Sequence, residues 1–322
     1  MGKSVANLTL TEKLHRHYDS RNFQPQDSSM TCFAVSVVWV NTLSLAAEGL
    51  LVLLPSHHLS GDQRSGGDTE AGGRAVPAGY RWAQAAVVWL LAETVCQWWF
   101  LRDGSRNIVP RARGPPDGSG APDGSGAPDG NGAPGGNGAP KGWRRCSVCQ
   151  MDAPPRSHHC SICQHCVLKR DHHCYFSGSC VGLHNQRHFI YFLMYVVMAS
   201  TYAVYMQTAF LLRKEDASYL FPPVAMLKML TAQTTVLSFV IMLHLYLSVI
   251  SACAALGFMG WQLNIISKGQ TSYEAMKGLS KYRMRTAYAN FRCVFGSPLQ
   301  CCAAFVLPVR PALPDNGLDW TE

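Results

Sequence analysis

Charged residues are scarce in this chain of 322 residues: they make up 15% of it, against about 25% in typical soluble proteins. Apolar residues make up 48% and gather in long runs, which excludes a soluble enzyme with a single core. The net charge of +8 comes from basic residues that lie between the apolar runs, as in membrane proteins. We expect no cleavable signal peptide, because a polar segment of about 29 residues precedes the first run.

Four apolar stretches reach the roughly 20 residues that a membrane-spanning helix needs. They cover residues 30–54, 82–101, 189–212 and part of 233–258. With four spans, both tails and the middle loop lie on one side of the membrane. That side carries 22 Lys and Arg residues and the other side carries 6, so the positive-inside rule places the tails and the middle loop in the cytosol.

Between the second and third runs, a six-residue Gly- and Pro-rich repeat from about Pro116 to Pro140 predicts a flexible linker. After it, seven of the thirteen cysteines lie between Cys146 and Cys180, interspersed with histidines. A Cys-x2-Cys pair lets one turn present two thiolates to one ion, and structural Zn²⁺ takes four such thiolate or imidazole ligands. Six Cys and two His complete two closed sites, so one cysteine is left over. The candidate is Cys174, which follows an aspartate and two histidines.

The position of this cluster bears on three other interpretations of it. A cytosolic segment argues against disulfides. A position between two membrane spans argues against a nucleic-acid-binding finger, so we expect no nucleic acid partner. A purely structural zinc module remains an alternative.

The motifs of residues 143–187 closely resemble the cysteine-rich domain of the DHHC protein S-acyltransferases. The likeness runs from Cys-x2-Cys through Pro155-Arg156-Ser157-His158-His159-Cys-x2-Cys-x2-Cys to Asp171-His172-His173-Cys174 and Cys180-Val181-Gly182-x2-Asn185. Weaker likenesses flank it: Arg102-Asp103-Gly104 to the family's Asp-Pro-Gly turn, Thr271-Ser272-Tyr273-Glu274 to Thr-Thr-x-Glu, and Asn290–Gly296 to a C-terminal Asn motif. Members are four-span membrane enzymes that move a fatty acyl group from acyl-CoA onto protein cysteines.

The resemblance implies a role for each matching residue. Cys174 is expected to be the nucleophile, His172 its general base and Asp171 the group that orients the imidazole. Two structural zinc ions are expected, one held by Cys146, Cys149, His159 and Cys166, the other by Cys160, Cys163, His173 and Cys180. Phe176 and Ser272 are assigned to binding of the acyl donor, palmitoyl-CoA: the Phe176 ring packs on the acyl chain, and the Ser272 hydroxyl hydrogen-bonds back to Asp171.

The chain departs from the family pattern directly after Cys174, where Tyr175-Phe176 replaces the usual Pro-Trp. We interpret the change as altered specificity or rate. The alternative is a catalytically inactive zinc-binding membrane scaffold of the same fold. Cys301 and Cys302 follow the C-terminal motif and are candidates for acylation themselves, which would make the protein a lipoprotein.

The sequence therefore predicts an all-α, four-span membrane protein with a small cytosolic zinc-binding cysteine-rich domain. Its function is expected to be protein S-palmitoyl transfer from acyl-CoA to membrane-associated proteins with cytosolic cysteines. Its partners include the lipid bilayer, and its location is the Golgi, endoplasmic reticulum or plasma membrane, with a cytosolic active site. The predicted parts are an N-terminal tail (1–29), helices 1 and 2 with a lumenal loop (30–101), a linker (102–142), the catalytic domain (143–187), helices 3 and 4 (188–262) and a C-terminal tail (263–322).

Overall fold

The computed structural model describes residues 46–47, 49–50, 78–110, 140, 142–318 and 320. Three long helices dominate these residues: α1 (Ala78–Arg102), α2 (Gln186–Lys214) and α4 (Val236–Ser267). Four short helices accompany them: α3 (Pro222–Leu230), α5 (Ser272–Met276), α6 (Ala287–Phe295) and α7 (Pro298–Val306). Two 3₁₀ turns, Gly104–Asn107 and Ala217–Leu220, follow α1 and α2.

Between α1 and α2 the chain forms three antiparallel hairpins. The first pairs β1 (Arg144–Cys146) with β2 (Met151–Ala153), the second pairs β3 (His158–Cys160) with β4 (His165–Val167), and the third pairs β5 (His172–Cys174) with β6 (Ser179–Val181). The cysteine-rich segment is thus built of β-hairpins in an otherwise helical protein.

The helices cover three of the four predicted membrane spans. Helices α2 and α4 are long and apolar enough to cross a membrane, and they are the two helices in the described part of the chain that meet this test of length and composition. Helix α1 covers the predicted second span but does not meet the test, and the predicted first span lies almost wholly outside the described residues. The four-span architecture therefore stays a prediction.

The described residues fall into two compact units. One contains Trp98–Phe189 and the chain from Trp261 onward, and the other contains the described part of 36–97 together with Ile190–Gly260. In the second unit an apolar core joins α1, α2, α3 and α4 through Val87, Phe210, Ala225 and Ile241. The first unit holds the hairpins.

Buried amides connect the hairpins to the end of α1. The Asn185 side chain donates to the carbonyls of Leu101 (2.8 Å) and Cys180 (3.0 Å) and accepts from Asn107 (2.8 Å). The Asn107 oxygen in turn accepts from the backbone of His184 (2.8 Å). Because buried polar groups are costly unless they are paired, this network fixes the register between the two segments.

Candidate metal centres and thiol site

The three hairpins are one motif repeated every 14 residues. The paired residues of the second hairpin (His158 with Val167) follow those of the first (Arg144 with Ala153) by 14 positions, and those of the third (His172 with Val181) by 14 more. Each first strand therefore ends on a cysteine, at positions 146, 160 and 174.

The turns of the hairpins also share their conformation. The fourth residue after each of these cysteines, Gln150, Gln164 and Gly178, has a positive φ of 53°, 58° and 68°. In the first two turns the third residue is a cysteine whose N–H donates to the earlier thiol: Cys149 to Cys146 at 3.4 Å, and Cys163 to Cys160 at 3.5 Å. Such a turn holds two sulfur atoms close together and aimed at one point.

The eight predicted metal ligands form two clusters. Cluster one consists of Cys146, Cys149, His159 and Cys166, and cluster two of Cys160, Cys163, His173 and Cys180. In each, the potential ligand atoms lie within 4.8 Å of one another. The histidines present Nδ1 to the sulfur atoms, with His159 at 3.2 Å from Cys149 and His173 at 3.3 Å from Cys163.

The clusters fit a metal by donor chemistry and closure. Each offers three thiols and one imidazole, a set that suits tetrahedral Zn²⁺ and leaves no coordination position open. Each takes one cysteine from the end of a hairpin's first strand and one from its turn, and a histidine and a cysteine from the strands of the next hairpin. A metal in either cluster would therefore link two neighbouring hairpins.

Cys174 ends β5 at the repeat position of Cys146 and Cys160, yet it belongs to neither cluster found among the described residues. Its turn carries Ser177 where the other hairpins carry Cys149 and Cys163. The Ser177 hydroxyl donates to the Cys174 carbonyl (3.3 Å), so the turn is retained without a second thiol. Cys174 therefore occupies the position of a metal ligand in a hairpin whose turn provides no second thiol.

Strand alternation separates the three residues of β5. Successive side chains point to opposite faces of a strand, so His172 and Cys174 share one face while His173 points to the other, toward cluster two. The same short strand can thus position both a metal-ligand candidate and a reactive pair.

Asp171 is buried beside this pair and accepts four hydrogen bonds. They come from His172 Nδ1 (2.7 Å), the Ser272 backbone N–H (2.6 Å), the Ser272 hydroxyl (2.8 Å) and Gln262 Nε2 (2.8 Å). The predicted hydrogen bond from Ser272 to Asp171 is confirmed, while the assignment of Ser272 to donor binding stays a prediction. A carboxylate held on so many sides fixes the orientation of the imidazole.

The electrostatics of the pair favour separated charges. Burial acts to lower the pKa of His172, but its hydrogen bonds to Asp171 and Cys174 outweigh burial and raise the pKa to about 9. Burial likewise acts to raise the pKa of Cys174, and the hydrogen bond and charge of His172 outweigh it and lower the pKa. The arrangement therefore favours a thiolate beside an imidazolium at neutral pH.

Residues far along the chain hold Asp171 and Ser272 in place, and sequence reasoning gave two of them no role. Gln262 donates to Asp171 and also lies 3.1 Å from the Ser272 hydroxyl. Gln186, at the start of α2, donates to Gln262 at 3.2 Å. The sequence signal that could have indicated a role for Gln262 is its polar amide side chain near the end of an otherwise apolar helix.

A buried ion pair anchors the start of α5, which carries Ser272. Arg156 donates to both oxygens of Glu274 at 2.7 Å and to the Gly269 carbonyl at 2.9 Å. Glu274 also closes a capping box with Thr271. Both residues lie in motifs that the sequence singled out, but their pairing across 118 positions was not predicted.

The other predicted residues have defined places. Phe176 is 46% exposed, and its carbonyl accepts from the Trp98 indole at 3.0 Å, so its contact with an acyl chain stays a prediction. Asp103 caps the 3₁₀ turn after α1 and pairs with Arg310. Asn290 donates to the last carbonyl of α4, that of Ser267, at 2.8 Å.

Comparisons with known proteins agree with this geometry. The family model described as DHHC palmitoyltransferase matches residues 140–279. The chain is 35% identical over 156 residues to palmitoyltransferase ZDHHC22 of Mus musculus. The aligned region covers 44% of this chain and 57% of that protein. The chain is also 32% identical over 186 residues to the probable palmitoyltransferase ZDHHC24 of Danio rerio, and that aligned region covers 56% of this chain and 62% of that protein.

A more distant organism gives a similar result: the putative ZDHHC-type palmitoyltransferase 4 of Dictyostelium discoideum is 33% identical over 181 residues, or 55% of this chain and 47% of that protein. The chain thus spans about half to three fifths of the length of these curated relatives.

Hairpins arranged around two thiol-rich clusters define a cysteine-rich domain of the zinc-finger type, and the family match covers it completely. Residues 140–279 match the family model of the DHHC palmitoyltransferases, and within them Tyr175 and Phe176 follow the Asp-His-His-Cys motif. Proteins of this family are membrane proteins, in agreement with helices α2 and α4.

Proposed function

We propose that the protein is an S-acyltransferase that moves a long-chain fatty acyl group, palmitoyl, from acyl-CoA to cysteines of membrane-associated proteins. The observation that carries the proposal is the pair formed by Cys174 and His172. The thiol lies outside both metal-ligand clusters, and the imidazole is held by Asp171 at 2.7 Å. A nucleophile, a proton carrier and an orienting carboxylate are the groups that acyl transfer to a thiol requires.

In the first step the Cys174 thiolate attacks the carbonyl carbon of the acyl-CoA thioester. A new C–S bond forms to Cys174, the C–S bond to CoA breaks, and the departing CoA sulfur takes the proton of the His172 imidazolium. The products are acyl-Cys174, free CoA and neutral His172. The donor and product are both thioesters, so the step is nearly isoenergetic.

In the second step neutral His172 takes the proton of the target cysteine. The target thiolate then attacks the acyl carbonyl, the bond to Cys174 breaks, and Cys174 returns to the thiolate state beside the His172 imidazolium. The protons and charges of the pair are therefore restored after each cycle. Asp171 stabilises the imidazolium in the resting state and keeps Nδ1 as the donor toward itself.

A cluster of positive charge near the thiol site supports an anionic donor. Burial, together with the nearby cations Arg170, Arg144, Arg156 and Lys277, lowers the pKa of His158 to about 3. The His158 ring packs at 4.0 Å from that of Tyr273, the neighbour of Ser272. Of these cations, Arg144 and Lys277 are exposed, and Arg and Lys side chains bind phosphate oxygens strongly, so these two residues suit the phosphates of CoA.

The two clusters would hold one Zn²⁺ ion each, through the eight residues named above, and the ions would stabilise the fold of the hairpins. Because the clusters are closed, the reaction is assigned to the thiol and imidazole of this chain. We further propose four spans with cytosolic tails, which places Cys174 in the cytosol within reach of both acyl-CoA and peripheral protein targets.

Incubation of the purified full-length protein with radiolabelled palmitoyl-CoA tests the proposal. We expect a hydroxylamine-sensitive label on Cys174, its loss in Cys174→Ser, and its retention in the matched control Cys302→Ser. His172→Ala should slow acylation severely while the thiol is still present. Label confined to Cys301 and Cys302 would instead favour the scaffold alternative.

A further inference from the structure

A cavity of about 540 Å³ lies in the hairpin-bearing unit, and Cys174 is not among the residues that line it. It is enclosed by the last turn of α1 with the following 3₁₀ turn, by the first turn of α2, and by the segment 310–316. Its volume falls within the range of about 300–1,000 Å³ that is usual for ligand sites. The mechanism proposed above makes no use of it.

Three arginines line this cavity: Arg106, Arg187 and Arg310. Two aspartates also line it, but each already has a partner. Asp103 is paired with Arg310, and hydrogen bonds from Arg310 and Ser105 lower its pKa to about 2; Asp315 accepts from the backbone of Gly317 at 2.9 Å. The cations outnumber the anions, so the lining carries a net positive charge.

His184, which also lines the cavity, responds to this charge. Burial lowers the pKa of His184, and Arg106 and Arg187 lower it further, against a weaker opposing effect of Asp315. Helix α2 begins at Gln186 and adds the partial positive charge of its N-terminus. Both observations indicate a positive potential in which an anion is favoured.

Two of the side chains that line the cavity, Phe100 and His188, are aromatic. Phe100 packs at 5.1 Å from the ring of His188, and the Arg310 guanidinium lies 4.3 Å above the Phe100 ring. The Arg187 guanidinium donates to the carbonyl of Pro311 and so holds the segment 310–316 against α2. A lining that combines arginine and aromatic side chains suits a ligand that has both an anionic and an apolar part.

The position of the cavity along the chain limits the source of that ligand. The predicted second span ends at residue 101 and the predicted third begins at residue 189, and the cavity lies between these two ends. On the proposed topology this is the cytosolic surface of the bilayer, where basic pockets bind the headgroups of anionic phospholipids.

We propose that this cavity binds a phosphomonoester group, supplied by the headgroup of an anionic membrane phospholipid. The choice of a lipid source rests on the proposed membrane topology, while the binding itself is independent of acyl transfer. Phosphomonoester oxygens accept hydrogen bonds from guanidinium groups in bidentate geometry. Arg106, which is exposed at the rim, is the residue that can be changed with the least risk to folding.

The test measures binding of phosphatidylinositol 4-phosphate to the purified full-length protein, with phosphatidylcholine as the reference lipid, by native mass spectrometry. We expect preferential retention of the phosphorylated lipid and a loss of about three- to fivefold in affinity in Arg106→Gln. Arg106→Lys should lose less, and the matched control Arg285→Gln, which removes an exposed cation elsewhere, should bind as the wild type does.

Competition with inositol 1,4-bisphosphate, the soluble headgroup, separates the two sources. Weak competition supports a lipid, whereas soluble headgroup bound as tightly as the lipid overturns the lipid source. Equal retention of both lipids, or binding that Arg106→Gln leaves unchanged, overturns the site. Acylation of Cys174, measured on the same samples, reports separately on the proposed transferase function.

Discussion

Arg156 and Glu274 form a buried ion pair between the hairpin segment and α5, and its removal should destabilise the protein in a specific order. Their side chains are 4% and 5% exposed, and both guanidinium–carboxylate distances are 2.7 Å. Removing one member of a buried pair costs about 3–5 kcal/mol, because the other charge is left buried without a counter-ion.

The structure indicates which change costs more. In Glu274→Gln, Arg156 keeps the Gly269 carbonyl and the rings of Tyr282 and Trp320, at 4.9 and 4.5 Å. We therefore expect the lower limit, about 3 kcal/mol, or a drop of roughly 6–12 °C in Tm. Arg156→Leu leaves the carboxylate with the Thr271 N–H, so we expect about 5 kcal/mol and a drop of roughly 10–20 °C.

The assay is thermal unfolding of the full-length protein in detergent, followed by fluorescence-detected size exclusion. Arg145→Leu is the matched control, because Arg145 pairs with Asp152 at 3.8 Å and is 45% exposed, so its loss should cost less than about 1 kcal/mol. The double variant Arg156→Leu/Glu274→Leu should be more stable than Arg156→Leu alone. If Glu274→Gln unfolds at the same temperature as the Arg145 control, the pair does not hold the two segments together.

Metal analysis should find about two zinc ions per chain, and a content of one or none in the wild type would contradict the ligand sets. Cys163→Ala should lose at least one of the two ions and unfold more easily. Alkylation of Cys174 followed from pH 5 to 9 should reach half its maximum at a lower pH in the wild type than in His172→Ala, because the imidazolium lowers the thiol pKa; coincident profiles would contradict the ion pair. Ser177→Cys supplies the second thiol that the turns of the other hairpins carry, so under reducing conditions added Zn²⁺ should inhibit acylation of this variant at concentrations that spare Ser177→Ala. Ser272→Ala should slow acyl transfer while Ser272→Thr is tolerated, and an unchanged rate in the alanine variant would separate that hydroxyl from catalysis.

Local pattern in the sequence was sufficient for the metal-ligand sets of the hairpin segment, but it did not predict the hairpins themselves. Cysteine spacing and the family likeness indicated the two ligand sets, and the hydrogen bond from Ser272 to Asp171 followed from matching a motif. The roles of these residues in catalysis and metal binding stay predictions. Hydropathy also located α2 and α4, although α4 continues to Ser267, beyond the apolar run, where Asn290 binds its final carbonyl.

Long-range polar contacts could not be read in the same way. Gln262 and Asp171 are 91 positions apart, and each has a residue type that is common on protein surfaces. Periodicity reports which face of an element is apolar, but it does not say which distant polar side chains meet once that face is buried. For the same reason, the sequence does not indicate that Arg156 pairs with Glu274.

The serial arrangement of the two clusters gives the hairpin segment an order of unravelling. Cluster one joins the first hairpin to the second, and cluster two joins the second to the third, so each cluster links neighbouring hairpins, as in a linear repeat protein. Opening cluster one leaves the first hairpin held by the apolar cluster that Ala153 forms with Leu168 and Leu183, and it leaves β5 fastened through His173 and Cys180. Cluster one is the more exposed of the two, so a chelator should remove its metal first. The resulting intermediate would be partly unfolded but would keep β5 and Cys174 in place until cluster two also loses its metal.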